Sequence, residues 1–209
     1  LNLSSITFNV DNIDYENCSI SVSNVAMPTT TWSGGPSDIT NMPGFTQWFN
    51  NLTPTEKTWV QNNWTAAGKA FVNYLNAETT SRLYYSKANP SKSEIINPLL
   101  LPDKDGTNQN AFKHVLAAAL HTKYLGSPTA WTIVSNHELG TPENLFKQMD
   151  IANNGIGINI GNECSCSESE IATAVKKLVD KGGAYRAVIN NINTPTLQRT
   201  NKATNDENY

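Results

Sequence analysis

Residues 108–126 read NQNAFKHVLAAALHTKYLG, and this run decides the fold class. Eighteen residues free of Pro and of internal Gly predict a helix over Asn108 to Leu125, closed by Gly126 in a cap position that favours positive φ. Its centre, Ala117-Ala118-Ala119, is narrow enough for another helix to approach closely, so the element is expected at the packed centre of a bundle. Downstream, Ser127-Pro128 and Thr141-Pro142 each predict a helix start, with Gly140 closing the first of the two. The later helix is expected to run through Met149 and Asp150 and stop at Asn154-Gly155, residues that tolerate a helix terminus. Ser167-Glu168-Ser169-Glu170 is a capping box, and Ile171, Ala172, Val175, Leu178 and Val179 form the inward stripe of another helix ending at Gly182-Gly183. Upstream, Thr53-Pro54-Thr55-Glu56 is a second capping box. Val60, Trp64, Ala67, Phe71 and Tyr74 follow at helical spacing, predicting one long helix to about Tyr85.

The expected fold is therefore mostly α, a compact bundle of about five helices. Residues 1 to about 25 alternate apolar and polar side chains (Ile6, Phe8, Val10; Cys18, Ile20, Val22), the period of a short strand pair turning around Asp11 to Glu16. A connector rich in Pro and Gly follows to about residue 46. The expected organisation is a β appendage and connector over 1–46, a helical domain over 47–193 with a short strand at Ala187 to Ile189, and a polar, frayed tail over 194–209.

With 38% hydrophobic and 16% charged residues, the 209-residue chain is apolar enough to fold as one domain yet poor in charge, and 28 Asn supply much of its polarity. A net charge of -3, with Lys and Arg scattered, leaves no footprint for nucleic acid. The longest apolar runs fall well short of the ~20 residues that span a bilayer. Leu1 opens without a charged or apolar leader pattern, so an export signal is expected only before it. Cys18, Cys164 and Cys166 are odd in number, and Cys164-Ser165-Cys166 lacks the partner set of a zinc site, so it reads as an incidental pair in a loop. Asn2, Asn17, Asn51 and Asn63 open N-x-S/T triplets, relevant only to a glycosylating pathway.

Polar residues gather between Asn110 and Asn154. Asn110, His114, Ala117 and His121 fall at i, i+4, i+7 and i+11 on one helical stripe. His121 lies about 10 Å beyond His114 and ranks below it. His137 and Glu138 are neighbours about 100° apart, so one of them faces the site. Asp150 shares a face with Asn153 or Asn154. Each of these has a plain structural alternative, a core histidine or a helix cap, but short connections converge the three helices.

The ordered residues Asn110-Ala111-Phe112-Lys113-His114, then His137-Glu138, then Met149-Asp150 with Asn153-Asn154-Gly155-Ile156-Gly157, resemble an uncharacterised bacterial domain family with the pattern N-A-x-x-H, H-E, M-D-x-x-N-N-x-x-G. The resemblance covers roughly residues 52–190. Members typically carry Trp about three residues past the His, where this chain has Ala117 and Ala118. The resemblance implies a secreted or toxin-associated module, placed outside the cell or in its envelope, with a cognate inhibitor protein as partner if it is a toxin.

Three functions fit these residues. A hydrolase would hold a divalent metal ion through His114, His137 or Glu138, and Asp150, with Glu138 or Asp150 as general base. A metal-free enzyme would use His114 as base, oriented by Asp150 or Glu138, with Asn110 and Asn153 stabilising an oxyanion; Ser135 is its nearest nucleophile candidate. A non-catalytic binding or structural module would use the same residues as a packing network. The number of ionisable groups favours an enzyme acting on an unknown substrate.

Overall fold

The computed structural model describes residues 10–14, 19–22, 39–85, 107–139, 144–189 and 195–200. Among these, the helices are α1 (Phe45–Asn51), α2 (Pro54–Asn62), α3 (Trp64–Tyr85), α4 (Asn108–Leu125), α5 (Ser127–Leu139), α6 (Leu145–Glu163) and α7 (Glu168–Asp180). Two antiparallel strand pairs complete the described chain: β1 (Val10–Asp14) with β2 (Ser19–Val22), and β3 (Tyr185–Ile189) with β4 (Pro195–Arg199). The fold is mostly α, as expected, and α4 is its hub, in contact with α3, α5, α6 and α7.

Both capping boxes form. Thr53 N–H donates to Glu56 Oε2 (2.7 Å) while Glu56 N–H donates to Thr53 Oγ1 (3.2 Å), and Ser167 and Glu170 do the same at α7. The long helix expected from Thr53 to Tyr85 is, however, two helices. Asn63 leaves helical geometry at φ -140° and ψ 47°, and its side-chain amide donates to Trp59 O (2.8 Å), the local competition with the helical ladder to which Asn is prone. A further short helix, α1, starts inside the expected connector.

α6 corrects the boundary expected at Asn154-Gly155. It continues to Glu163, because Gly155, Gly157 and Gly161 keep helical φ and the last two face α4. A Cβ at Gly157 would collide with the carbonyl oxygen of Val115 and stand 2.7 Å from Ala118 Cβ; one at Gly161 would stand 2.5 Å from Ala119 O. Tertiary packing thus overrides the weak helix propensity of glycine. The narrow centre of α4 was expected to admit a close helix, and α6 is that helix. It begins at Leu145, capped by Asn144 Oδ1 accepting from Lys147 N–H (3.0 Å), while Gly140 and Thr141-Pro142 lie outside the described residues.

The main apolar core joins Phe112, Val115, Leu116 and Leu120 of α4 to Ile171 and Val175 of α7, all at most 1% exposed. A second core of Ile39, Phe45, Val60 and Phe71 fastens α1 and α2 to α3. The expected C-terminal strand exists but has a partner in the segment expected to fray. β4 pairs with β3 in the register Ala187↔Leu197, with Pro195 at its first position, where a missing N–H is tolerated on an edge strand. Thr200 N–H then donates to Ala184 O (3.0 Å). Cys164 and Cys166 lie in the loop between α6 and α7, as expected, and are joined as a disulfide. The turn of the N-terminal pair, the tail beyond residue 200 and Cys18 lie outside the described residues.

Gly157→Ala and Gly161→Ala should each lower the unfolding free energy by about 1–3 kcal/mol, the cost of overpacking. Gly155→Ala, whose added Cβ meets only Trp131 at 3.7 Å, should instead gain roughly 0.5–1 kcal/mol of helix propensity. Chemical denaturation of the three variants checks this; equal effects at all three positions would contradict the close α4–α6 contact.

Candidate metal centre and its cleft

The i, i+4, i+7, i+11 stripe of α4 turns toward the space that α5 and α6 enclose. His114 stands on it with its side chain 13% exposed, facing Asp150 of α6, whose side chain is 15% exposed. His114 Nε2 lies 3.3 Å from Asp150 Oδ1. Glu138 of α5, 4% exposed, completes a cluster in which one donor atom from each residue lies within 4.8 Å of the other two. The α4–α6 glycine contact sets the first distance, and the short α4–α5 connection at Gly126, φ 79°, swings Glu138 into range.

Asn154 backs His114: its Oδ1 lies 3.3 Å from His114 Nδ1 and accepts from it in the tautomer that carries the proton on Nδ1. In the neutral ring, Nε2 then presents a lone pair to the Asp150 carboxylate, two acceptors facing one another. Such a pair needs a cation or a proton between them. Two ligands bound at about 2.0–2.2 Å to a tetrahedral or octahedral cation lie about 3.0–3.5 Å apart, and the observed 3.3 Å matches that edge. A histidine that ligates through one nitrogen while donating from the other to a carbonyl is the usual second-sphere arrangement of metal sites.

Of the alternatives His137 and Glu138, Glu138 joins the cluster. His137 points to the N-terminal layer, where its Nδ1 donates to Glu56 Oε1 (3.0 Å), although its ring centre stays 6.4 Å from that of His114. The hydrogen bond to Glu56 holds the imidazolium of His137 above its ordinary 6.5 against the opposing effect of burial, and the charges of Glu56, Glu138 and Asp150 add to it. Burial pulls Glu56 upward, but the bonds and charge from His137 and the bonds from Thr53 outweigh it, leaving Glu56 below 4.5.

Asn153 is turned away. Its Nδ2 donates to Tyr185 O (2.8 Å) and its Oδ1 accepts from Tyr185 N–H (2.9 Å), a two-point clamp on β3. Asn154, four residues from Asp150, is the asparagine that reaches the site. The sequence carried a signal for this, since positions 150, 154, 157 and 161 form one stripe that includes both packing glycines. Asn110 is buried one turn before His114, with its N–H donating to Thr107 Oγ1 (3.1 Å) in the cap of α4, outside the donor cluster. His121 is 5% exposed and accepts at Nδ1 from Asn73 Nδ2 (3.3 Å); burial lowers it to about 4.

A cleft of about 240 Å³ opens beside His114. Trp48 and Leu52 close it from the N-terminal layer, Ala117 forms part of the α4 wall, and Ile133 and Val134 face it from α5. Its polar lining includes Asn51, Glu56, Lys113, His114, His137 and Asn154, and Lys113 Nζ lies 3.7 Å from Glu78 Oε2 in a buried group with Arg82. A second cavity of about 220 Å³ adjoins Glu138 and shares Asn154 and Val134 with the first. Ser135 borders only that second cavity and is exposed. Glu56 and the Trp48 wall were not expected from the sequence, because their distance to His114 is set by tertiary packing.

The family described as Domain of unknown function (DUF6973) matches residues 70–183. The chain belongs to that family. The matched region contains His114, Glu138, Asp150 and Asn154, whereas Trp48, Leu52 and Glu56 lie before it. Searches of the curated proteins and of the solved structures found no significant match to the chain.

The unfolded chain protonates His121 near pH 6.5, the folded chain only near pH 4, so stability is lost as pH falls through that window. The difference in unfolding free energy between wild type and His121→Gln should shrink by about 3 kcal/mol between pH 7 and pH 4; a constant difference would contradict a neutral, buried His121. The Glu56–His137 pair has the opposite signs. Its histidine part is complete below 6.5 and fades as pH rises through the raised value, and its carboxylate part is complete above 4.5 and fades as pH falls. Glu56→Gln should therefore lower the NMR titration midpoint of His137, and an unchanged midpoint would refute the pairing.

Proposed function

We propose that this chain is a metal-dependent hydrolase whose divalent cation is bound by His114 Nε2, Glu138 and Asp150. One observation carries the proposal: one donor atom from each of His114, Glu138 and Asp150 lies within 4.8 Å of the other two, with His114 Nε2 3.3 Å from Asp150 Oδ1 and its Nδ1 3.3 Å from Asn154 Oδ1. One imidazole and two carboxylates form a borderline-to-hard donor set, suited to Zn²⁺ or Mn²⁺ and leaving coordination positions open. A cation there would lower the pKa of bound water and polarise a substrate oxygen. The cleft gives a substrate access to His114, and His137, whose pKa the hydrogen bond to Glu56 raises, lines the same cleft, where it can exchange protons with a substrate.

Asn153 and Asn110 take structural roles in this proposal, and Asn154 replaces Asn153 as the orienting amide. His137 acts beside the cation rather than on it. The resemblance of the three motifs to a secreted or toxin-associated bacterial family supports action outside the producing cell, with a cognate inhibitor as the partner expected of a toxin. The competing packing-network function predicts that loss of His114 or Asp150 destabilises the fold without any metal being involved.

Protein purified without a polyhistidine tag should carry, or take up on incubation with Zn²⁺ or Mn²⁺, one equivalent of metal by mass spectrometry. His114→Ala and Asp150→Ala should lose it, and Asn154→Leu should weaken binding about 10–100-fold, the usual cost of removing an orienting partner. A wild-type protein that binds none of Zn²⁺, Mn²⁺, Mg²⁺ or Ca²⁺ at this stoichiometry would sink the proposal.

A further inference from the structure

Cys164 and Cys166 are joined across a single residue, Ser165, in the loop between α6 and α7. A cross-link that closes so short a loop removes little chain entropy from the unfolded state, because that contribution grows with the number of residues enclosed. The loop is also held by other bonds. Cys164 N–H donates to Ile160 O (3.1 Å) at the end of α6, and Ser167 N–H donates to Glu170 Oε2 (2.7 Å) at the start of α7. Between them, Lys123 Nζ of α4 donates to the carbonyl oxygen of Cys166 (2.7 Å). Both cysteines pack against the main core, so the thiols of a reduced pair would keep apolar neighbours. Holding the helices in place is therefore a small part of what this bond does. It is also within reach of a reagent in solution, since both cysteines are half-buried and Ser165 between them is exposed. Neither cysteine lines the two cavities beside the cation cluster, so the bond stands apart from the hydrolase site.

We propose that Cys164–Cys166 is an exchange-active pair, reduced and reoxidised by low-molecular-weight thiols while the helices on either side keep their places. The two sulfurs are not equivalent. Cys164 caps the C-terminal end of α6, where the helix carbonyls disfavour a thiolate. Cys166 stands just before the N-terminal end of α7, where the dipole favours one, and the Lys123 ammonium is bound to its backbone. The two carboxylates of that turn are already engaged, Glu168 by Tyr124 and Asn76 and Glu170 by Ser167. Cys166 is thus the better leaving group, and an incoming thiolate attacks Cys164 Sγ. A mixed disulfide forms there as the Cys164–Cys166 bond breaks, and its electron pair goes to Cys166 Sγ. A second reagent thiolate then attacks the reagent sulfur of the mixed disulfide, and Cys164 leaves with the electron pair. Two reagent thiols are oxidised to one disulfide, and the protein pair gains two electrons and two protons.

The test uses the full chain with Cys18→Ser, so that no third thiol exchanges. The protein is equilibrated without oxygen in glutathione buffers of increasing reduced-to-oxidised ratio, quenched in acid, alkylated with N-ethylmaleimide and weighed intact. The pair should pass from no label to two in one step by about 10 mM reduced glutathione, and return to none in oxidised glutathione. The melting temperature of the reduced form should lie within about 5 °C of the oxidised form, as expected of a bond that contributes little to the fold. The double variant Cys164→Ser, Cys166→Ser, which cannot form the bond, should melt in the same range. Lys123→Met should slow reduction by dithiothreitol roughly threefold or more, since the leaving thiolate loses its ammonium; a merely loosened loop would speed it. A folded pair that stays unlabelled at that glutathione concentration, or a larger fall in melting temperature on reduction, would identify a structural staple and overturn the inference. Reduction of Lys123→Met at or above the wild-type rate would overturn the assignment of Cys166 as the leaving group.

Discussion

The contact on which everything else depends is the backbone approach of α6 to α4. Two glycines, Gly157 and Gly161, lie against the carbonyl oxygens of Val115 and Ala119, and no side chain larger than hydrogen fits there. Because side chains on a helix recur every three to four residues, fixing 157 and 161 on that seam also fixes 150 and 154 on the same face. His114 immediately precedes Val115 on α4, and its side chain meets both, Asp150 at Nε2 and Asn154 at Nδ1. The polar site is thus a continuation of the helix seam, placed where the glycines give way to Asp150 and Asn154. A change in the spacing of these two helices would alter the 3.3 Å gap between His114 and Asp150 before it altered anything else in the site.

A second consequence is a division of labour between layers. His114, Glu138 and Asp150 of the candidate donor cluster, with the Asn154 amide beside them, come from α4, α5 and α6, all inside the region matched by the family. The walls of the cleft come partly from α1 and α2, whose own aromatic core around Phe45 and Phe71 holds them to α3. Glu56 caps α2 through Thr53 and links the layers by gripping His137 of α5. The N-terminal layer can therefore shape what enters the cleft without touching the donor cluster.

Much of this was legible in the sequence, and what was not has physical causes. The helical class, both capping boxes, the close-packing role of Ala117 to Ala119 and the three helices that supply the site follow from local chemistry that tertiary structure does not disturb. The break at Asn63 was missed because the apolar stripe from Val60 to Tyr74 runs through it, and an asparagine that bonds its own Trp59 carbonyl leaves no mark in a hydrophobic pattern. The end of α6 was misplaced because Asn-Gly is a good local terminus, and only the facing helix shows that these glycines are needed inside. That Asn154 and not Asn153 lies beside His114 was open in the sequence, since helical spacing allows both and the packing partner decides. Glu56 was beyond reach, being 81 residues from His137.

The central claim is that the lone pair of His114 and the carboxylates of Asp150 and Glu138 converge on a cation. Anomalous diffraction at the zinc edge, from a crystal equilibrated with Zn²⁺, addresses it most directly. The account predicts a single strong peak about 2.0–2.2 Å from His114 Nε2 and from one oxygen each of Asp150 and Glu138, with Asn154 Oδ1 still accepting from His114 Nδ1. A saturated crystal with no peak at that point, and His114 Nε2 donating a proton straight to Asp150, would contradict it.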